Sequence, residues 1–185
     1  MLSLLACKDG TLQLWNNTGR FIRPKAYVKN AHVADTETSR LVISDDNHTL
    51  LSRGGDDTLK VWDLRKFQNP VKEFSDLPNF VAQTEAIFSP DNSTFATCVS
   101  AKRGKERGSI VFYNRATLSE VQRVSVADAS CVRLLWHEKL NQIFVGCSDN
   151  NIHVLHDPEK SKKGVLLCAG RKVRKKDPSD FQQAV

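Results

Sequence analysis

Among the residues able to do chemistry, the histidines come first. His32, His48, His137, His153 and His156 are scattered, and the closest pair, His153 and His156, stand three apart in a strand-like run that turns them to opposite sides. The five cysteines, Cys7, Cys98, Cys131, Cys147 and Cys168, show neither a paired framework nor close metal-ligand spacing. The sequence therefore predicts no metal site and no cofactor. Odd in number and lodged mostly in apolar runs, the cysteines read as reduced core thiols of an intracellular protein. Carboxylates pair at Asp45-Asp46 and Asp56-Asp57 and recur at Asp91. Each falls in a tight turn, where a side chain bonding its own backbone explains it without acid–base work. No glycine cluster follows a strand and opens a helix as a phosphate cradle would; Arg53-Gly54-Gly55 reads as a hairpin turn, and Gly104 and Gly108 lie in a flexible basic loop. Catalysis on a small-molecule substrate is not expected.

The remaining chemistry is charge. The net formal charge of +6 is uneven: Lys102, Arg103, Lys105 and Arg107 form one basic patch, and Lys160, Lys162, Lys163, Arg171, Lys172, Arg174, Lys175 and Lys176 crowd the last quarter. Such runs can neutralise phosphates, so contact with an RNA or DNA backbone stays open beside acidic protein partners and plain solvation. No aromatic residue interrupts either run, which argues against base stacking, and charge alone reads no base sequence. The apolar run from Met1 to Cys7 meets Asp9 at once, too short for a signal peptide, and no long apolar span follows. A soluble protein of the cytoplasm or nucleus, without a membrane partner, is expected.

The elements that carry these residues are short strands joined by turns. Leu2 to Cys7 and Thr11 to Trp15 flank Lys8-Asp9-Gly10, and Phe21 to Val28, interrupted by Pro24, suits an edge strand. Ser39 to Ile43, Leu50-Leu51 and Thr58 to Trp62 are separated by Ser44-Asp45-Asp46-Asn47 and Arg53-Gly54-Gly55-Asp56-Asp57. Asp9 stands six positions before Trp15, as Asp56 does before Trp62, and Asp149 falls 93 residues after Asp56, close to two periods of about 40 to 50 residues. Tyr113 takes the place of Trp62 in a third unit, with no Asp six positions before it. In a fourth unit Leu155 and Val145 replace Trp62 and Ser52, and Val165 to Ala169 reads as its last strand.

Short strands, a turn at each junction and the terminal Trp62-Asp63 resemble a blade of a WD-repeat propeller. The fold class implied is all-β, a partial WD-repeat β-propeller of about three and a half four-stranded blades, the C-terminal half of a seven-bladed ring. Its blades are placed at 1–30, 31–76, 77–127 and 128–170, with 171–185 a disordered basic tail. The resemblance also implies a network in which Asp56 bonds back to His32, arriving from the preceding loop, while Ser52 bridges that imidazole to the indole of Trp62. Asp9 and Trp15 are the corresponding pair of the first unit. A half ring leaves two sheet faces for neighbours to cover, so further blades ahead of Met1, or another chain, are expected to complete it.

The runs Arg53-Gly54-Gly55-Asp56-Asp57-Thr58-Leu59-Lys60-Val61-Trp62-Asp63 and Trp136-His137-Glu138-Lys139-Leu140-Asn141-Gln142-Ile143 are similar to the gastrulation-defective, or WD repeat-containing protein seventy, family. So is the basic insertion before Ser109-Ile110-Val111-Phe112-Tyr113, and the resemblance covers nearly the whole chain. It implies a non-enzymatic nuclear scaffold or adaptor, associated with late spliceosomal complexes in pre-mRNA splicing. The other implied role is as adaptor of a cullin-type ligase in histone H2B ubiquitination and the DNA damage response. Family members carry a long disordered N-terminal region, further blades and a Lys/Arg-rich C-terminal extension; the first two features and most of the third are lacking here. Expected partner contacts are Arg53, Arg65, Lys66, Lys102, Arg103, Lys105 and Arg107. Expected backbone contacts to RNA are Lys102, Arg103, Lys105, Arg107, Arg171, Lys172, Arg174, Lys175 and Lys176.

Overall fold

The computed structural model describes residues 2–16, 22–102, 104–161 and 163–167. The turns explain why the chain doubles back where it does. Ser44 and Ser89 open identical turns: each hydroxyl bonds the Asp two residues on, and each receives the backbone N–H of the Thr five residues on at 3.0 Å. Asn47 and Asn92 take the left-handed conformation that closes the turn, which asparagine tolerates better than most residues. A second turn type recurs at Asp9, Asp56 and Asp149, whose carboxylates each accept the backbone N–H two residues on.

Strands β1 (Leu2–Ala6), β2 (Leu12–Asn16) and β3 (Ala26–Val28) pair antiparallel in that order as the first sheet. The second contains β4 (Thr38–Ile43), β5 (Thr49–Gly54), β6 (Leu59–Asp63) and β7 (Lys72–Phe74). The third contains β8 (Ala86–Phe88), β9 (Thr94–Val99), β10 (Gly108–Asn114) and β11 (Ser119–Ala127), and the fourth β12 (Cys131–His137), β13 (Gln142–Cys147) and β14 (Ile152–His156). Every sheet is a meander. The expected last strand at Val165 to Ala169 is not formed in the described residues: Gly164–Leu167 is a 3-10 turn. One side chain accounts for this, since the Gln142 amide donates to Lys163 O and accepts from the backbone N–H of Val165, pinning the segment under β13.

The sheets lie face to face in chain order, and their first strands touch one another in succession, β1 with β4, β4 with β8 and β8 with β12. This is the convergence on an axis expected of consecutive blades, in an arc that does not close into a ring. One apolar layer fills each gap. Leu50 and Leu51 are neighbours on β5 and fully buried, yet they belong to different layers because successive side chains point to opposite faces. Leu50 joins Leu12, Leu14 and Trp62 against the first sheet, and Leu51 joins Leu59, Phe95 and Tyr113 against the third. Ala96, Cys98 and Ile110 turn the other way to meet Cys131, Leu134 and Val145 of the fourth. A leucine buried in this way contributes about 1.5–3 kcal/mol relative to exposure. The interior sheets therefore carry continuous buried runs such as Phe95–Val99 in place of a clean alternation. The end sheets keep Leu5 and Tyr27, and Leu135 and Ile152, exposed on their far faces.

Trp62, Tyr113 and Leu155 occupy equivalent places, and each faces the preceding sheet. Tyr113 stacks on Phe95 with ring centroids 5.2 Å apart and sits 4.1 Å from the Phe74 ring of the second sheet. In that gap aromatic packing replaces the polar network of the gap before it.

Candidate functional site

The polar residues that could act together converge where the loop before β4 meets the β5–β6 turn. His32 Nδ1 stands 3.0 Å from Asp56 Oδ2 and its Nε2 2.8 Å from Ser52 Oγ, while Trp62 Nε1 donates to Ser52 Oγ at 2.9 Å. The indole N–H makes Ser52 an acceptor, so the Ser52 hydroxyl gives its own proton to Nε2, and Nδ1–H is directed at Asp56. Partial burial alone would raise the Asp56 carboxyl; bonds from His32, Thr58 and the Val33 N–H outweigh it and hold the group well below the usual carboxylate range. Gly54 makes room for all of this. A Cβ there would lie 2.3 Å from His32 Nδ1 and 2.2 Å from Asp56 Oδ1.

Aspartate, histidine and serine in this order could in principle activate a nucleophile. Here the hydroxyl is committed to an indole, and Ser52, His32 and Trp62 are 0, 2 and 1% exposed. No substrate reaches such an oxygen. The cluster instead ties the β3–β4 loop to the second sheet.

Among the described residues, Asp9 and Trp15 are not joined in the way that Asp56 and Trp62 are. Asp9 accepts from the backbone and hydroxyl of Thr11, and Trp15 Nε1 donates to Gln13 Oε1 at 3.0 Å. Leu5 stands where Ser52 does and has no hydroxyl to share.

Arg53 does not belong to the surface. It is 0% exposed and donates to the carbonyls of Thr58, Gly54 and Leu77, tying the β5–β6 turn to the segment that leads to β8. Burial lowers its guanidinium to about 10, against the opposing pull of Asp57 and Asp56. The reason is parity: Arg53 lies two residues after Leu51 and points with it into the gap between the second and third sheets.

The other expected contacts divide between two rims. Arg65 and Lys66 are exposed on the β6–β7 connector, where Arg65 is held bidentate by Asp63 at 2.8 and 2.9 Å. Lys102, Lys105 and Arg107 are exposed on the opposite rim, at the tip of the β9–β10 hairpin. At its base Lys102 and Glu106 exchange backbone hydrogen bonds at 3.0 Å. The tip is partly neutralised, with Lys102 3.6 Å from Glu106 and Arg107 2.8 Å from Asp128. Arg103, Arg171, Lys172, Arg174, Lys175 and Lys176 lie outside the described residues.

Two clusters escape the sequence reading. Glu85, almost buried, pairs with Arg40 of β4 at 3.0 Å and Arg133 of β12 at 3.2 Å, linking the first strands of three sheets. On the fourth sheet Cys147, Asp149 and His153 bring ligand atoms within 4.8 Å of one another, although the sequence predicts no such group. No helix among the described residues is long and apolar enough to cross a membrane.

Comparison with known proteins agrees with this architecture. Residues 26–63 match the family described as WD domain, G-beta repeat. WD repeat-containing protein 70 of Xenopus laevis is 41% identical over 91% of this chain and 27% of its own length, and its Mus musculus counterpart 44% identical over 92% and 26%. The Gastrulation defective protein 1 homolog of Drosophila melanogaster is 34% identical over 95% of this chain and 27% of its own length. The chain thus spans about a quarter of the length of the curated relatives it matches. A chain of the crystal structure of the mitotic checkpoint complex superposes with a TM-score of 0.70, covering 84% of this chain and 47% of that one at 19% identity, which is a likeness of fold alone. Over most of its length, this is a WD-repeat protein closely related to the WD repeat-containing protein 70 and gastrulation-defective family.

Proposed function

We propose that the chain serves as a nuclear adaptor that presents the Lys102, Lys105 and Arg107 rim to proteins of a large assembly, with late pre-mRNA splicing complexes the favoured class. The nuclear setting and the splicing role rest on kinship with the WD repeat-containing protein 70 relatives. The observation that supports docking at this rim is that its cations stand on a hairpin whose backbone is hydrogen-bonded between Lys102 and Glu106, so the scaffold gathers them on one projecting edge. The inter-sheet polar clusters, by contrast, are used within the chain. Glu106 and Asp128 already offset two of the cations, which suits an acidic protein surface of limited charge better than the many phosphates of an RNA backbone.

A photo-crosslinkable residue at position 105, in the full chain expressed in nuclei, tests the reading by mass spectrometry. Splicing factors captured there, and lost when Lys102 and Arg107 are both changed to Glu, are the expected result. Subunits of a chromatin ligase would replace splicing with histone ubiquitination as the role. Salt-sensitive capture of RNA in place of protein would overturn protein docking at this rim.

A further inference from the structure

The corner of the fourth sheet that faces the third holds a set of side chains with no part in the scaffold role. Cys147 ends β13, and His153 on β14 lies opposite Val145, two residues before Cys147 on the same face. Cys131 opens β12 as the cross-strand partner of Cys147, and Asp149 sits in the β13–β14 turn. Two adjacent strands and their turn thus deliver a thiol, an imidazole and a carboxylate to one place, with the Cys131 thiol of β12 beside that of Cys147.

We propose that Cys147, Asp149 and His153, with Cys131 as fourth donor, bind a divalent metal ion of the zinc type. The ligand atoms of the first three lie within 4.8 Å of one another, and the Cys131 and Cys147 sulfurs are 3.9 Å apart. Metal–sulfur bonds of about 2.3 Å and metal–nitrogen or metal–oxygen bonds of about 2.0–2.1 Å set tetrahedral ligand separations of roughly 3.3–3.8 Å. A donor set of thiolates and imidazole selects zinc over magnesium or calcium.

The equivalent corner of the second sheet shows why the group is unusual. There the places of Cys147 and Asp149 are taken by Gly54 and Asp56, and His32 from the preceding loop fills the space and consumes the carboxylate. The loop before β12 is Asp128-Ala129-Ser130 and brings no imidazole. The imidazole comes from β14 instead, and a thiol stands where glycine was required. Asp149 is bonded by Asn151 alone among the described residues, and His153 Nε2 is buried with no hydrogen-bond partner among them. A thiol that binds no metal carries its proton at neutral pH. On binding, each S–H bond breaks as the metal–sulfur bond forms, the sulfur keeps the electron pair, and the proton passes to water.

The full chain, reduced with a phosphine, stripped with chelator and titrated with Co²⁺, tests the site. Stoichiometric thiolate-to-cobalt charge-transfer absorption is expected, with the visible bands of a tetrahedral site, displaced by an equivalent of Zn²⁺. Cys147→Ser and His153→Gln should each weaken binding at least about tenfold, with circular dichroism unchanged. The partly exposed His153 keeps the test valid if Cys147→Ser fails to fold. No cobalt absorption at stoichiometric metal would overturn the site, as would undiminished absorption in His153→Gln, or a Cys131–Cys147 disulfide in protein isolated without oxidant.

Discussion

Ser52→Ala removes a single oxygen and should cost far more than its volume. That oxygen accepts from Trp62 at 2.9 Å and donates to His32 at 2.8 Å, and all three residues are 2% exposed or less. Its loss orphans a buried donor and a buried acceptor at once. At about 1–3 kcal/mol per orphaned group, a loss of roughly 2–5 kcal/mol is expected after partial relaxation. This is a large share of the about 5–15 kcal/mol that holds a typical domain together. Trp62→Phe supplies the control, because it removes the donor and keeps most of the ring. On that background Ser52→Ala orphans only the imidazole nitrogen, so its cost should fall by about 1–2 kcal/mol. Urea unfolding of the wild type, both single variants and the double variant at neutral pH measures the coupling. Far-ultraviolet circular dichroism serves as the signal, so that losing an indole does not remove the probe. A Ser52→Ala cost under about 0.5 kcal/mol, or costs that simply add, would show that the hydroxyl is not a shared bridge.

The Asp56 carboxyl is held down in the folded state, so its contribution is complete above the unfolded value of about 3.9 and is lost as pH falls from there through the lower folded value. Asp56→Asn should be less stable at neutral pH and lose less stability than wild type below that value; parallel acid titrations would contradict this. Arg53→Met keeps the apolar stem but strands the Leu77 carbonyl, while that of Thr58 keeps the Gly54 N–H, and should cost about 1–3 kcal/mol, whereas exposed Arg65→Ala should stay within about 0.5 kcal/mol. Equal unfolding midpoints for the two would refute the burial of Arg53. Glu85→Gln, by breaking the link to Arg40 and Arg133, should cost about 1–2 kcal/mol and make stability less sensitive to salt, measured as unfolding midpoints at low and high ionic strength.

Much of the architecture is legible because its turns are written in residue types. The Ser-x-Asp-Asn and Asp-led turns recur at a fixed period, and His32, Ser52, Asp56 and Trp62 are spaced so that only a sheet with a returning loop brings them together. Arg53 misleads because a guanidinium reads as surface by type; its two-residue offset from buried Leu51 was the available signal. Asp9 and Trp15 keep the spacing of Asp56 and Trp62, but Leu5 lacks the oxygen that makes spacing into a network. The strand expected at Val165 to Ala169 is apolar enough, and is overridden by one distant amide, Gln142. Glu85 leaves no local trace, since its partners come from two other sheets. The Cys147, Asp149 and His153 corner leaves no mark in histidine spacing along one strand, because the hairpin brings it together across two.

The stacking of sheets about an axis is tested most directly by two neighbouring rings on β10. Side chains there face different sheets: Tyr113 lies 4.1 Å from Phe74 of the second, and Phe112 5.8 Å from Trp136 of the fourth. Nuclear Overhauser spectra of the full chain should show Tyr113–Phe74 and Phe112–Trp136 contacts together. Loss of either set, with that ring open to solvent as in a two-layer sandwich, would contradict an arc of blades.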